Sequence, residues 1–326
     1  MNCRLLGNTG LSVSAVAFGA GPVPTLLVGD DRRRQIEVVA AALDAGINWF
    51  DTAPTYGNGA SEQSLGAALR TLDARDVHLA SKVRIEPSHA GGLREAVLTI
   101  VRSSSKRLGV PRLALLQLHN AITLSDGEMP SSISASRILS SGGVLDAMEA
   151  ARREGLCSHL GITGIGSPTA LREVLSSGRL ATAQIPFSIV QPSAGCAVRG
   201  PSIDDYDRIL ADCRRQCIGA LAIRVFAGGA ITGQPPSEHT KRTPYFPLAA
   251  FESDRRRAER IAAALPPDLT IGEAALRFAA HHADVSSAIV GFSSVEQVRQ
   301  AAQYVAAGPL SHATIDAIIA AASAER

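Results

Sequence analysis

The sequence predicts a closed (β/α)8 barrel of the TIM type, capped at its base by an N-terminal β-hairpin. Three observations carry that expectation. Short apolar or β-branched runs alternate with helical patterns, which implies βαβ units and a parallel sheet. Eight such strand–helix units fit into 326 residues, a number and length that suit one closed barrel. The three longest connections, Asn120–Ser141, Phe187–Ser202 and Phe226–Phe251, all follow expected strands. In a barrel they lie on the carboxyl face, where active sites are built. A doubly wound open sheet is the competing architecture. No linker, repeat or low-complexity segment divides the chain, so residues 1–326 are read as a single domain.

The elements follow in order. The opening CRLLGNTGLSVS reads as a hairpin turned at Asn8-Thr9-Gly10. Ala15–Gly19 is the first barrel strand, followed by a helix over Asp31–Ala45. Ile47–Phe50 and Ser61–Leu72 form the second pair, Val77–Val83 and Gly92–Leu108 the third. Leu113–His119 precedes a helix over Gly142–Glu154 that Gly155 closes. His159–Thr163 precedes Pro168–Ser177, closed by Gly178. Thr182–Ile185 leads to a helix over Ile203–Gln216. Cys217–Val225 leads to helices over Ser253–Leu265 and Ile271–Ala283. Ser287–Val290 leads to Ser294–Ala306, and Ser311–Ala322 is a last helix that covers the barrel or a neighbour.

Composition narrows the function. Hydrophobic residues make up 46% and charged residues 19%, which excludes a disordered chain. The net charge of +2 is too balanced for a nucleic-acid or membrane-surface protein. Cys3, Cys157, Cys196, Cys213 and Cys217 form no CxxC pair; Cys213 and Cys217 are spaced to share a helix face. They are read as buried reduced thiols, with no metal. With no leader peptide and no long apolar run, the expected location is cytoplasmic. His281-His282 is read as a helix end. Arg32-Arg33-Arg34 and Arg255-Arg256-Arg257 are read as solvated helix faces. The Gly-rich stretches GITGIG and FGAGPVP lack the GxGxxG spacing, and no P-loop is present.

Four polar residues stand at or just past strand ends: Asp51 after INWF, Tyr56 in the following loop, Lys82 ending VHLASK, and His119 ending LALLQLH. In a barrel they converge on one mouth. The chain has three lysines, Lys82, Lys106 and Lys241, so one inside an apolar strand stands out. Burying it demands a partner, and Asp51 is the candidate. A phenol beside an ammonium, with an imidazole to orient an oxygen, is acid–base equipment for a carbonyl/alcohol pair. No side chain donates hydride, so redox chemistry needs a nicotinamide coenzyme.

The segment Gly46–Gly66, GINWFDTAPTYGNGASEQSLG, resembles the aldo-keto reductase signature at every fixed position. The resemblance continues through RLLGNTGLSVSAVAFG, LASKV, LLQLHN and IVGFSSVEQV. It implies a (β/α)8 barrel that uses NADP or NAD without a Rossmann domain. Carried over, Tyr56 is the general acid/base, Lys82 lowers its pKa, Asp51 anchors Lys82, and His119 orients the substrate carbonyl. Thr163 and Gln184 match carboxamide-binding positions, with Gly164 where the family usually has Asn. Ile223 stands where many members stack an aromatic ring. Arg224 is a candidate for the pyrophosphate, with a surface salt bridge as its alternative. Gly291, Ser293 and Gln297 match the adenosine-phosphate clasp, while Gln300 and Ala301 replace a frequent Glu-Asn pair. No Lys or Arg lies between Gly291 and Val298, and Arg299 is either a substitute or a solvated helix residue. NADP and NAD therefore stay open.

The expected substrate is a small carbonyl compound or a sugar, as in sugar-dehydrogenase branches. Phe226, Tyr245, Phe246 and Phe251 are candidate pocket aromatics. The alternative is a cofactor-binding regulatory or sensor protein with little turnover, for which the departures at Gly164, Ile223 and Ala301 leave room.

Overall fold

A computed structural model describes residues 1–89, 92–198, 205–243 and 247–324. Eight parallel strands close into a barrel. They are β1 (Val16–Gly19), β2 (Trp49–Asp51), β3 (His78–Val83), β4 (Leu113–Leu118), β5 (Cys157–Thr163), β6 (Thr182–Pro186), β7 (Gly219–Ile223) and β8 (Ser287–Gly291). Each pairs with its sequence neighbours, β8 closes on β1, and the open-sheet alternative is excluded.

The helices are α1 (Arg32–Asp44), α2 (Ala60–Thr71), α3 (Leu93–Leu108), α4 (Val144–Arg153), α5 (Pro168–Leu175), α6 (Ile209–Arg215), α7 (Leu248–Ala264), α8 (Ile271–Ala280), α9 (Val295–Ala306) and α10 (His312–Ser323). Most fall within a few residues of expectation. Two differ more. Helix α6 begins at Ile209, because Arg208 before it adopts a left-handed backbone that cannot continue a helix; 203–204 lie outside the described residues. Helix α7 begins five residues early, directly after Pro247, which suits a helix start. A short parallel pair, Ile122–Thr123 with Ile133–Ser134, and short helices at Ala135–Leu139 and Glu238–Arg242 lie in segments expected to be irregular. Helix α10 packs on α7 and buries Ile318 and Ala322.

The hairpin pairs Cys3–Leu5 with Ser12–Ser14 and seats on the base of the barrel. Leu6 and Val13 join Ala17, Trp49, Ala80, Leu115 and Leu221 in a closed apolar plug. Gly7 must be glycine: a Cβ there would lie 2.2 Å from the Gly219 backbone nitrogen. Side chains alternate along a strand, so residues two positions further face the same lumen nearer the carboxyl mouth. Those residues are Gly19, Asp51, Lys82, Gln117 and Ile223. The lumen therefore changes from apolar to charged within two residues, and this positions the site.

Two local expectations fail. Arg257 is not on a solvated face: it is 1% exposed and donates to the Val190 carbonyl at 2.9 Å and to Asp254 at 3.3 Å. Cys213 and Cys217 do not share a helix face, because Cys217 lies beyond α6 with a left-handed backbone. All five cysteines are free, but only Cys157 and Cys213 are buried, with burial pushing both thiols up to about 12.

Candidate active site

The floor of the barrel mouth is a buried polar cluster. Asp51 and Lys82 form an ion pair with both side chains almost wholly buried. The Lys82 Nζ also donates to the Thr52 carbonyl at 2.9 Å. The other Asp51 oxygen accepts from the side-chain amides of Gln117, at 2.9 Å, and Gln184, at 2.6 Å. Neither charge is left uncompensated, which is the condition for burying such a pair. Burial works against the Lys82 ammonium, but Asp51 and then Tyr56 outweigh it, and its pKa is raised. Gln117 was not singled out in the sequence. Its signal was there: a polar residue in an apolar strand, on the same face as His119 two positions on.

The Tyr56 hydroxyl lies 3.4 Å from Lys82 Nζ. Lys82 acts on its pKa in the expected direction, downward, but does not prevail. Burial of the phenolate raises the pKa; Lys82 lowers it and Asp51 raises it, leaving the net shift upward. Tyr56 is therefore a neutral phenol at physiological pH. The His119 ring meets Tyr56 edge-on, with centroids 5.6 Å apart, and its Nδ1 lies 3.3 Å from the Thr55 hydroxyl. Burial, helped by Lys82 and Arg84, pushes the His119 pKa well below its usual value. Its imidazole is neutral, so one ring nitrogen keeps a proton to donate.

Behind this cluster the Ser61-Glu62 pair of the signature segment holds the loop that carries Tyr56. The Ser61 hydroxyl donates to the Ala20 carbonyl at 2.7 Å and meets Thr52 at 2.8 Å. Glu62, fully buried, accepts from Ser81 and from Arg107, each at 2.6 Å. The ends of β1 and β2, strand β3 and helix α3 are thereby tied to the start of α2.

Above the floor opens a cavity of about 1090 Å³. Asp51, Tyr56, His119, Thr163, Gln184, Ile223, Arg224, Gly291, Ser293 and Gln297 all line it, while Lys82 lies beneath. Phe226 and Phe251 line it too; Tyr245 and Phe246 lie outside the described residues. Arg224 faces the cavity and pairs with Asp254 at 3.4 Å; with Asp254 buried, this is not the surface salt bridge of the alternative reading.

The lining fits a nicotinamide coenzyme. The Thr163 hydroxyl is buried and without a hydrogen-bond partner among the described residues, which suits a ligand amide. Gly164 has a steric reason. A Cβ there would meet Ile185 Cδ1 at 2.6 Å and the Gln184 carbonyl at 2.9 Å, so the Asn usual in the family has no room.

A closed parallel barrel with a phenol, a buried ammonium–carboxylate pair and a neutral imidazole at its carboxyl mouth defines a protein equipped for proton transfer beside an oxygen. The chain belongs to the aldo/keto reductase family, whose model matches residues 17–322. It is 26% identical over 299 residues to L-galactose dehydrogenase of Arabidopsis thaliana, covering 91% of this chain and 86% of that one. It is 28% identical over 327 residues to D-threo-aldose 1-dehydrogenase of a Pseudomonas species, covering 91% of each. An aldo-keto reductase from Klebsiella pneumoniae, solved in complex with NADPH, superposes with a TM-score of 0.68 at 21% identity, covering 100% of this chain and 97% of that one.

Proposed function

We propose that this protein is an NAD(P)-dependent oxidoreductase that interconverts a carbonyl, or the hemiacetal and lactone forms of a sugar, with its reduced partner. The observation that carries the reading is the Tyr56 hydroxyl at 3.4 Å from a lysine ammonium that is itself fixed by a buried carboxylate, at the floor of a large cavity. A bound nicotinamide supplies hydride transfer to or from the carbonyl carbon. The chain supplies the proton. In reduction, neutral Tyr56 donates to the carbonyl oxygen as alkoxide character develops. Lys82 favours the phenolate that this leaves. The His119 N–H holds the same oxygen in line. Thr163 and Gln184 hold the carboxamide end of the coenzyme, Ile223 packs on its ring, and Arg224 faces the pyrophosphate. Gly291, Ser293 and Gln297 form the adenosine clasp.

Similarity to two sugar dehydrogenases supports aldoses as a substrate class, and a cytoplasmic location belongs to the same reading. The complete acid–base set favours turnover over a regulatory role. The test is a panel of aldoses, aldehydes and ketones with each coenzyme, run on wild type and Tyr56→Phe. Turnover that drops about a hundredfold or more in the variant, at unchanged coenzyme affinity, is the expected result. Wild-type rates in the variant would refute the acid/base role.

A further inference from the structure

No Lys or Arg lies between Gly291 and Val298 of the adenosine clasp, yet the fold brings Arg34 to that stretch. We infer that Arg34, from the first turn of α1, reads the 2′-phosphate of NADP(H) and makes the protein prefer NADP(H) to NAD(H). This rests on the coenzyme reading above and deepens it.

Helix α1 packs against α9, which follows the clasp. The Arg34 Nε donates to the Ser293 carbonyl at 3.0 Å, across 259 positions of sequence. Ser293 and Gln297 line the large cavity. The Ser293 backbone N–H and hydroxyl both donate to Gln297 Oε1, at 2.8 and 3.0 Å, so the clasp loop is folded around these two side chains. Arg34 itself borders a separate hollow of about 380 Å³, shared with Asp31, Arg33, Glu37 and Ser294 of the same loop. All three arginines of the run are exposed, as expected, and Arg34 in addition touches the clasp loop.

The charges around it are already allotted. Arg33 pairs with Glu37 at 2.8 Å. Asp31 caps the helix by accepting the Arg34 backbone N–H at 3.0 Å. Among the described residues no carboxylate is in ion-pair contact with the Arg34 guanidinium. One edge of the fork is fixed on Ser293 and the two Nη groups stay available. A pre-oriented guanidinium matches a phosphate monoester, which accepts two parallel N–H bonds. A coenzyme with a free 2′-hydroxyl gains nothing from it.

A purely structural role for Arg34, stapling α1 to the clasp, would affect both coenzymes alike. The experiment separates the two roles by binding rather than turnover. NADPH, NADH, 2′,5′-ADP and ADP are titrated by calorimetry into wild type, Arg34→Ala, Arg34→Lys and Arg33→Ala. Wild type should bind NADPH about tenfold or more tightly than NADH, and 2′,5′-ADP more tightly than ADP. Arg34→Ala should bring both ratios near one by weakening the phosphorylated ligands alone. Arg34→Lys should fall between, and Arg33→Ala should match wild type. An unchanged ratio in Arg34→Ala, or equal loss for both coenzymes, overturns the assignment while leaving the oxidoreductase reading intact. Binding of neither coenzyme by folded wild type overturns both.

Discussion

The two ends of the cavity are built on opposite principles. At the floor, Asp51, Lys82, Gln117 and Gln184 come from four strands, are almost wholly buried and hold one another. At the clasp, Arg34 and Gln297 are exposed, Ser293 is half-buried, and the contacts come from a helix start and a loop. The floor combines the proposed acid–base groups with buried contacts of the fold, whereas the clasp contacts lie near the surface. Substitutions at the floor should therefore cost stability and turnover together, and substitutions at the clasp should change affinity alone.

The largest expected effect is at Lys82. Lys82→Met leaves the buried Asp51 carboxylate with two amide donors and no cation. Breaking a buried pair from one side costs roughly 3–5 kcal/mol, so a clear drop in denaturation midpoint should accompany loss of turnover. A variant that lost activity but kept wild-type stability would break the coupling claimed for the floor. Tyr56→Phe sharpens the contrast. It removes a single long contact from a half-buried residue, so stability should change by less than about 1 kcal/mol while turnover collapses.

The floor was also the legible end. An aspartate, a lysine and a histidine each ending an apolar strand need no neighbour information, because strand alternation already sends them into the lumen. Gln117 obeys the same rule, as a polar residue inside the apolar strand LALLQL. The pKa of Tyr56 was not legible, since the competition between burial and Lys82 depends on depth, which spacing does not report. The clasp was the opaque end. Arg34 reaches Ser293 only through the side-by-side packing of α1 and α9, and a run of three arginines carries no mark of which one touches the clasp loop. Arg257 was hidden in the same way, inside a run that looked uniformly solvated.

The protonation states give the next test. His119 is neutral above its lowered pKa, so carbonyl reduction should lose nothing as pH falls from 8 to 6.5, its ordinary value. Tyr56 stays protonated until above its ordinary value of 10.0, so the reductive kcat/KM should also hold flat up to that pH. Oxidation, which needs the base form, should instead rise with pH across the same range. A reductive profile that falls between pH 7 and 9 would show that coenzyme or substrate binding shifts the Tyr56 balance toward Lys82.

The smallest effect expected is at Gln297. Its side-chain oxygen accepts from both the backbone N–H and the hydroxyl of Ser293, and its own backbone N–H is capped by Ser294 at 3.3 Å. Gln297→Ala removes the two side-chain bonds and keeps the cap. Each such bond nets about 1 kcal/mol at most in an exposed loop, so stability should move by about that amount or less. The loop that carries the Arg34 anchor would then be less fixed. Coenzyme affinity should weaken severalfold, with kcat at saturating coenzyme unchanged. If kcat fell as well, the adenosine end would be setting the hydride-transfer geometry at the floor, and the division between a rigid catalytic base and an adjustable clasp would not hold.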